Sequence, residues 1–291
     1  MVMFLKFNQI SMKIIIHGGF FSESDQNIET KNAKQESLKN IAKRSFDFLK
    51  DHSAAETVVY AVSLLEDDEL YNAGIGSQIQ SDGKIRMSAA IMNGETEKFS
   101  GVINIQNVKN PILVAEKLMS EEDRVLGGEG AKRFANEHQF EDFSTETPAR
   151  KNEYETKKKA LGTGTVGCVA LDKDGKLAVA TSTGGKGFEL VGRISDSATV
   201  AGNFANEFCA VSCTGVGEDI VSNATAVKIV IRVTDGFELK EAFAKTFEEL
   251  KVYDGFAGAI SIDKFGNIYH QDSHPKMVFC SFDGANFDYF T

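Results

Sequence analysis

Cysteine is scarce in this chain: four in 291 residues, Cys168, Cys209, Cys213 and Cys280, with no Cys-x-x-Cys pair among them. That excludes a disulfide-stapled scaffold and makes buried free thiols, and hence a cytoplasmic protein, the expectation. Cys209 and Cys213 supply two ligands at most, too few for a zinc site. No apolar run reaches the roughly 18 residues that cross a membrane, and Met1 to Ser11 holds only a short apolar patch without a cleavage site, so neither membrane insertion nor a secretory signal is expected. Met12, just before Lys13-Ile14-Ile15-Ile16, is an alternative start. Basic residues are outnumbered and the net charge is -10, which disfavours a nucleic-acid surface. A Gly-x-Ser-x-Gly element is missing too, so His17-Gly18-Gly19 is not the oxyanion loop of an esterase. Asp172-x-Asp174-Gly175 lacks the later ligands of a calcium loop and reads as a hairpin turn.

What is present suits a compact α/β enzyme: 42% apolar residues and 26 glycines in a chain long enough for a large core. Leu38, Ile41, Ala42, Ser45 and Leu49 mark one face of a helix, and Ser53-Ala54-Ala55-Glu56 is a capping box that opens a second helix through Leu65. Further helices are expected at 111–119, with Pro111 at its start, and at 130–137, 219–231 and 239–250. Strands are expected at 13–16, on either side of the turn at 172–175, and as a hairpin at 257–262 and 268–271.

The stretch from about 138 to 164 contains Pro148, much Lys and Glu, and little apolar periodicity, the composition of an exposed, mobile linker. It ends on Gly164-Thr165-Val166-Gly167. Self-cleavage between Gly164 and Thr165 would give Thr165 a free α-amino group, one way to activate a weak hydroxyl nucleophile with a base on the same residue. The hairpin that follows brings Thr165 and Thr183 toward one sheet edge. Gly162 to Gly167 also satisfies G-x-G-x-x-G, but no strand precedes it, no helix follows, and no acid stands about 20 residues on, so dinucleotide binding is disfavoured, and absence of a cofactor-dependent thermal shift would close it.

Several further segments occur in a fixed order: Ile16-His17-Gly18-Gly19; Leu65-Glu66-Asp67-Asp68 running into Tyr71-Asn72-Ala73-Gly74-Ile75-Gly76-Ser77; Ala90 to Gly94; Thr181-Ser182-Thr183-Gly184-Gly185; Gly192-Arg193 with Asp196-Ser197; and Ser212 to Glu218. With Gly164 to Gly167 they resemble the plant-type asparaginase and isoaspartyl peptidase family of N-terminal nucleophile hydrolases, over nearly the whole chain from Lys13. The resemblance implies one domain over 1–291 with an αββα sandwich, processed into 1–164 and 165–291. It implies Thr165 as nucleophile, Thr183 holding it, Thr214 and the Gly215 amide as oxyanion hole, and Asn72 beside the Thr165 amine. Arg193 and Asp196 would clamp the substrate's α-carboxylate and α-ammonium, with the Gly217 carbonyl as a further contact.

The family's activity, release of L-aspartate from β-aspartyl dipeptides and L-asparagine, is the expected function. A glycosylasparaginase-like amidase and a non-processing ligand-binding protein are the alternatives. The resemblance implies no catalytic cofactor, a structural sodium ion on the backbone carbonyls of Leu65, Glu66, Asp68, Tyr71, Ala73 and Ile75, and a dimer of cleaved protomers. The chain departs from the commonest family pattern at Lys186-Gly187-Phe188-Glu189, at Ser195 and Ala198, by one missing residue between Asp196 and Phe204, and at Gln271 to Pro275. These positions ring the expected pocket and bear on substrate preference.

Overall fold

The computed structural model describes residues 11–21, 28–156, 164–274 and 276–291. The expected start region before residue 11 and the linker residues 157–163 lie outside them. The organising element is the hairpin of β5 (Val166–Leu171) and β6 (Leu177–Thr183), in register from Val166 opposite Ser182 to Leu171 opposite Leu177. Its turn closes on Asp172, whose carboxylate accepts the amides of Asp174 at 3.0 Å and Lys176 at 2.9 Å. The same carboxylate accepts the Ala54 amide at 3.0 Å and so caps α2 (Ala54–Glu66) from outside, beside the Ser53–Glu56 capping box.

Strand β1 (Lys13–Phe20) pairs antiparallel with β5, placing His17 opposite Gly167. Outward from β1 lie β11 (Met277–Phe282) and β12 (Phe287–Tyr289); beyond β6 lie β2 (Met87–Asn93), β3 (Lys98–Ile105) and β4 (Val125–Gly127). Among the described residues this makes one eight-stranded sheet. A second, four-stranded sheet has the order β10 (Ile268–Asp272), β9 (Ala257–Asp263), β8 (Cys209–Gly215), β7 (Asn203–Ala205).

Strands β1, β5 and β6 lie against β8 and β9, while α1 (Ile28–Leu49), α2 and α3 (Pro111–Leu118) lie against the large sheet. Because both faces of β5 and β6 are covered, every residue of both strands is buried and they read as continuous apolar or small runs rather than alternations. Helices α7 (Thr225–Thr234) and α8 (Leu239–Lys251) serve the small sheet, where Ile229, Val230, Phe243 and Phe247 join Val211 and Cys213 in a second core. All four cysteines are buried and unpaired.

Two expectations are corrected. The helix expected over 219–231 is two helices, α6 (Gly217–Asn223) and α7, because Ala224 takes a left-handed conformation at φ 52° that ends one and starts the other. The expected irregular linker begins directly after α4 (Gly128–Glu137) and contains a helix, α5 (Pro148–Glu155), opened by the Thr147 side chain accepting the Arg150 amide. Low apolar content hid α5 because it docks through polar and aromatic edges. Arg150 Nε donates to the Gly76 carbonyl at 2.7 Å, and the Tyr154 ring stacks with Phe188 at 5.3 Å between centroids.

Candidate functional site

Thr165 immediately precedes β5 and is buried, and its hydroxyl donates to that of Thr183, at the end of β6, over 3.2 Å. The Gly185 amide also donates to Thr183 Oγ1 at 3.2 Å, so the Thr183 oxygen is fixed from two sides. Gly164 packs on Asn72: a Cβ there would lie 2.5 Å from the Asn72 Cβ, closer than carbon atoms approach. Asn72 in turn donates through Nδ2 to the Gly185 carbonyl and accepts the Gln78 amide at 2.9 Å through Oδ1, while its own carbonyl takes the Gly184 amide at 2.8 Å. The structure therefore brings Gly164, Thr165, Thr183 and Asn72 together.

Side chains alternate along a strand, so Thr165 and Gly167 share a face of β5, Thr181 and Thr183 a face of β6, and Ser212 and Thr214 a face of β8. These faces meet. Ser212 Oγ lies 2.7 Å from Thr181 Oγ1 and 2.8 Å from His17 Nε2, and Thr181 donates to Asn203 at 2.9 Å. A Cβ on Gly167 would overlap both Ser212 Oγ and His17 Nε2, which is why the fourth position of Gly-Thr-Val-Gly must be glycine. Burial holds His17 neutral, pushing its pKa down to about 3 against a smaller opposing effect of the Thr165 backbone.

Thr214 is completely buried, and among the described residues its hydroxyl has no hydrogen-bond partner. An unspent donor of this kind is what a developing oxyanion requires. Gly215 beside it has φ 135°, and a Cβ there would lie 2.5 Å from the Phe256 carbonyl oxygen, so only glycine turns the end of β8 here.

Arg193, Asp196 and Gly217 also converge: a Cβ on Gly217 would lie 3.0 Å from Arg193 Nη2 and 2.9 Å from Asp196 Oδ1. Arg193 and Asp196 do not pair. Asp196 accepts from Ser195 Oγ at 2.8 Å through Oδ1, while among the described residues its buried Oδ2 has no partner. Desolvation pushes this carboxyl up to about 6, so near neutral pH it is a charged group awaiting a cation. Arg193 instead grips Glu218, with Nε at 2.7 Å from Oε1 and Nη2 at 2.8 Å from Oε2. That pair holds the Glu218 carboxyl down at about 2.

The loop after α2 folds back on itself. The Ile75 amide donates to the Glu66 carbonyl at 2.7 Å, and a Cβ on Gly74, at φ 52°, would overlap that same oxygen. Leu65 and Asp68 carbonyls accept the amides of Asp68 at 3.4 Å and Tyr71 at 3.2 Å. Among the described residues no donor reaches the carbonyls of Tyr71, Ala73 or Ile75. The Glu66 side chain turns inward, accepting from Ser182 at 2.6 Å and the Ile112 amide at 3.1 Å, and burial pushes it up to about 8.

Sequence reasoning assigned no role to Glu218, His17, Ser212, Thr181 or Glu189, and none to the side chain of Glu66, whose backbone carbonyl alone was expected to act. All six lie in segments already singled out, and Glu218 carried the most usable signal, as the acid directly after Gly217. Glu66 and Ser182 are 116 residues apart, and His17 and Ser212 are 195 apart, separations at which no local pattern links them.

A buried threonine hydroxyl held by a second one, an unspent hydroxyl on the facing sheet, and an arginine and a buried carboxylate converging on one glycine together form an arrangement suited to acyl transfer on a small zwitterionic molecule. The family model described as asparaginase matches residues 10–290. The chain belongs to that asparaginase family. It is 43% identical over 282 residues to an isoaspartyl peptidase/L-asparaginase of Nostoc sp., covering 90% of this chain and 88% of the relative. It is likewise 43% identical over 286 residues to an isoaspartyl peptidase/L-asparaginase of Synechocystis sp., covering 91% and 86% of the two chains. An isoaspartyl peptidase of Escherichia coli is 36% identical over 281 residues, 88% of each chain.

Proposed function

We propose that this protein is an isoaspartyl peptidase and L-asparaginase: a hydrolase that cleaves β-aspartyl amide bonds, in isoaspartyl dipeptides and in L-asparagine, and releases L-aspartate. Its fold reads as an αββα sandwich of the N-terminal nucleophile type, with the two facing sheets between helix layers. The observation that carries the reading is the 3.2 Å contact between the Thr165 and Thr183 hydroxyls directly after Gly164, in a chain matched by the asparaginase family over 10–290.

In this reading Thr165 Oγ first attacks the Gly164 carbonyl carbon. The Gly164–Thr165 C–N bond breaks, an ester forms, and water hydrolyses it, leaving a carboxylate on Gly164 and a free amine on Thr165. That amine, beside Asn72, then takes the proton of the Thr165 hydroxyl as Oγ attacks the β-carbonyl of substrate. Thr214 Oγ1 and the Gly215 amide hold the oxyanion. Collapse expels the leaving amine, which takes the proton back from the ammonium, and water hydrolyses the aspartyl ester. Arg193 binds the α-carboxylate; Asp196 and the Gly217 carbonyl bind the α-ammonium.

The carbonyls of Leu65, Glu66, Asp68, Tyr71, Ala73 and Ile75 are neutral oxygens on one closed loop, and those of Tyr71, Ala73 and Ile75 are free of donors among the described residues, a set that fits a hard monovalent cation. Sodium would brace the loop that carries Asn72 and take no part in the chemistry. Unchanged melting and activity when sodium is replaced by a bulky organic cation would remove it from the account. A dimer of cleaved protomers is the assembly we propose, and four buried free thiols support a reducing, cytoplasmic setting. Among the described residues no helix is long and apolar enough to cross a membrane.

The test is intact mass and N-terminal sequencing of purified wild-type and Thr165→Ala protein, followed by assay of aspartate release from a β-aspartyl dipeptide and from L-asparagine. Cleavage before Thr165 and release of aspartate in wild type alone are expected. An intact, inert wild-type chain would instead favour a protein that only binds an amino-acid ligand.

A further inference from the structure

Arg193 is surrounded by more negative charge than a carboxylate-binding arginine can use. Glu218 occupies its Nε/Nη2 edge bidentately, and the carboxylates of Glu189 and Asp196 also act on it. Glu189 is buried against Gly185, and among the described residues its Oε2 has no partner. One guanidinium facing three carboxylates repels an incoming α-carboxylate rather than attracting it. Lys186 reduces this excess, and once Asp196 is taken up by the substrate's α-ammonium two cations face two carboxylates. Its Nζ lies 3.2 Å from Glu218 Oε1, the oxygen that Arg193 Nε also contacts, so two cations share one carboxylate. Both Lys186 and Glu218 are about half exposed, whereas Arg193 is largely covered. Lys186 also follows Gly185, whose amide holds Thr183, so this cation is one peptide bond from the residue that fixes the nucleophile's partner.

We infer that Lys186 is a specificity-determining residue: by compensating Glu218 it leaves the free edge of Arg193 attractive to the substrate's α-carboxylate, and so selects substrates that carry one. The inference rests on Arg193 being the carboxylate clamp of the hydrolase proposed above. Glu218 then has a positioning role, fixing the plane of the guanidinium so that its remaining N–H groups face the site. Uncharged at position 186, the mouth would keep the orientation but lose the field.

The experiment compares wild type, Lys186→Met, Lys186→Arg and the double variant Lys186→Met/Glu218→Gln on a β-aspartyl dipeptide and on the same dipeptide with its aspartyl α-carboxylate converted to a carboxamide. For the free carboxylate, K186M is expected to raise KM roughly three- to fivefold with kcat within about twofold. K186R should match wild type, and the double variant should return part of the lost affinity, because it restores the local charge while giving up the bidentate grip of Glu218 on Arg193. Added salt should raise KM in wild type more than in K186M. The carboxamide substrate should show no difference between wild type and K186M. Self-cleavage, which involves no α-carboxylate, should proceed equally in all four and serves as the check that each folds. An active wild type whose KM for the free carboxylate is unchanged in K186M, or a K186M whose KM rises equally on the carboxamide substrate, overturns this inference alone. A wild type that releases no aspartate overturns the hydrolase reading and this inference with it.

Discussion

Ser212 Oγ on β8 lies 2.8 Å from Nε2 of His17 on β1, so one side-chain pair joins the facing surfaces of the two sheets directly over Gly167. Thr181 and Asn203 extend the contact sideways, and Thr165 and Thr214 stand two residues along their strands from it. The nucleophile is therefore set by a polar bridge inside an otherwise apolar interface. Such bridges are costly to disturb because their members have no water to fall back on.

The bridge makes stability depend on pH. His17 is held near 3 in the folded chain, against about 6.5 unfolded. Its contribution is complete above pH 6.5 and is lost as pH falls toward 3, because the unfolded chain gains a proton that the native one refuses. Between pH 6.5 and 5 the loss attributable to this one group is roughly 2 kcal/mol. Urea unfolding of wild type and His17→Gln at these two pH values should show a shallower decline in the variant; equal slopes would refute the assignment.

Gly167→Ala should be severe for a single methyl group. Its Cβ would meet Ser212 and His17 at once, and neither can retreat from a fully buried position. A stability loss of about 2–3 kcal/mol is expected. Differential scanning calorimetry should detect it as a clear drop in melting temperature, together with slowed self-cleavage, and a wild-type Tm would show that the sheets can part without cost.

Thr183 is expected to act through Thr165 alone. Replacing it with alanine should lower kcat and the self-cleavage rate on the order of 100-fold with little change in KM, since the substrate clamp is untouched. Thr183→Ser, which keeps the oxygen, should recover most of the loss. A variant that changed KM and spared kcat would place Thr183 in substrate binding instead.

Helix α5 should stay docked when the chain is cut. The Arg150 bond to Gly76 and the Tyr154–Phe188 stack tie it to the loop segments that follow Asn72 and Lys186. Limited proteolysis followed by mass spectrometry should spare 148–155 in wild type. Tyr154→Ala, which gives up about 1 kcal/mol of ring contact, should make the segment susceptible. Equal protection in both proteins would mean that Arg150 alone suffices.

The helices were legible where a local rule wrote them. The Ser53–Glu56 box needs only four consecutive residues, and the apolar face of α1 repeats every three or four positions, so both appear in sequence as in structure. Strands β2 and β3 carried no comparable mark, since both faces of the sheet are covered and β2 is buried at all but its last position. The break at Ala224 was invisible because alanine is a good helix former, and tertiary packing there overrides that preference.

The sequence by itself determined the order of the chemical parts: a glycine before a threonine, a hairpin that returns a second threonine to its side, and an arginine and an aspartate three residues apart. These are short-range facts, fixed by the turn at Asp172 to Lys176 and the register it imposes. Which charges share a space was decided only by the tertiary structure. Arg193 pairs with Glu218 rather than Asp196, Glu66 reaches Ser182, and His17 reaches Ser212, because the sheets bring distant strands face to face and burial penalises every charge left without a partner.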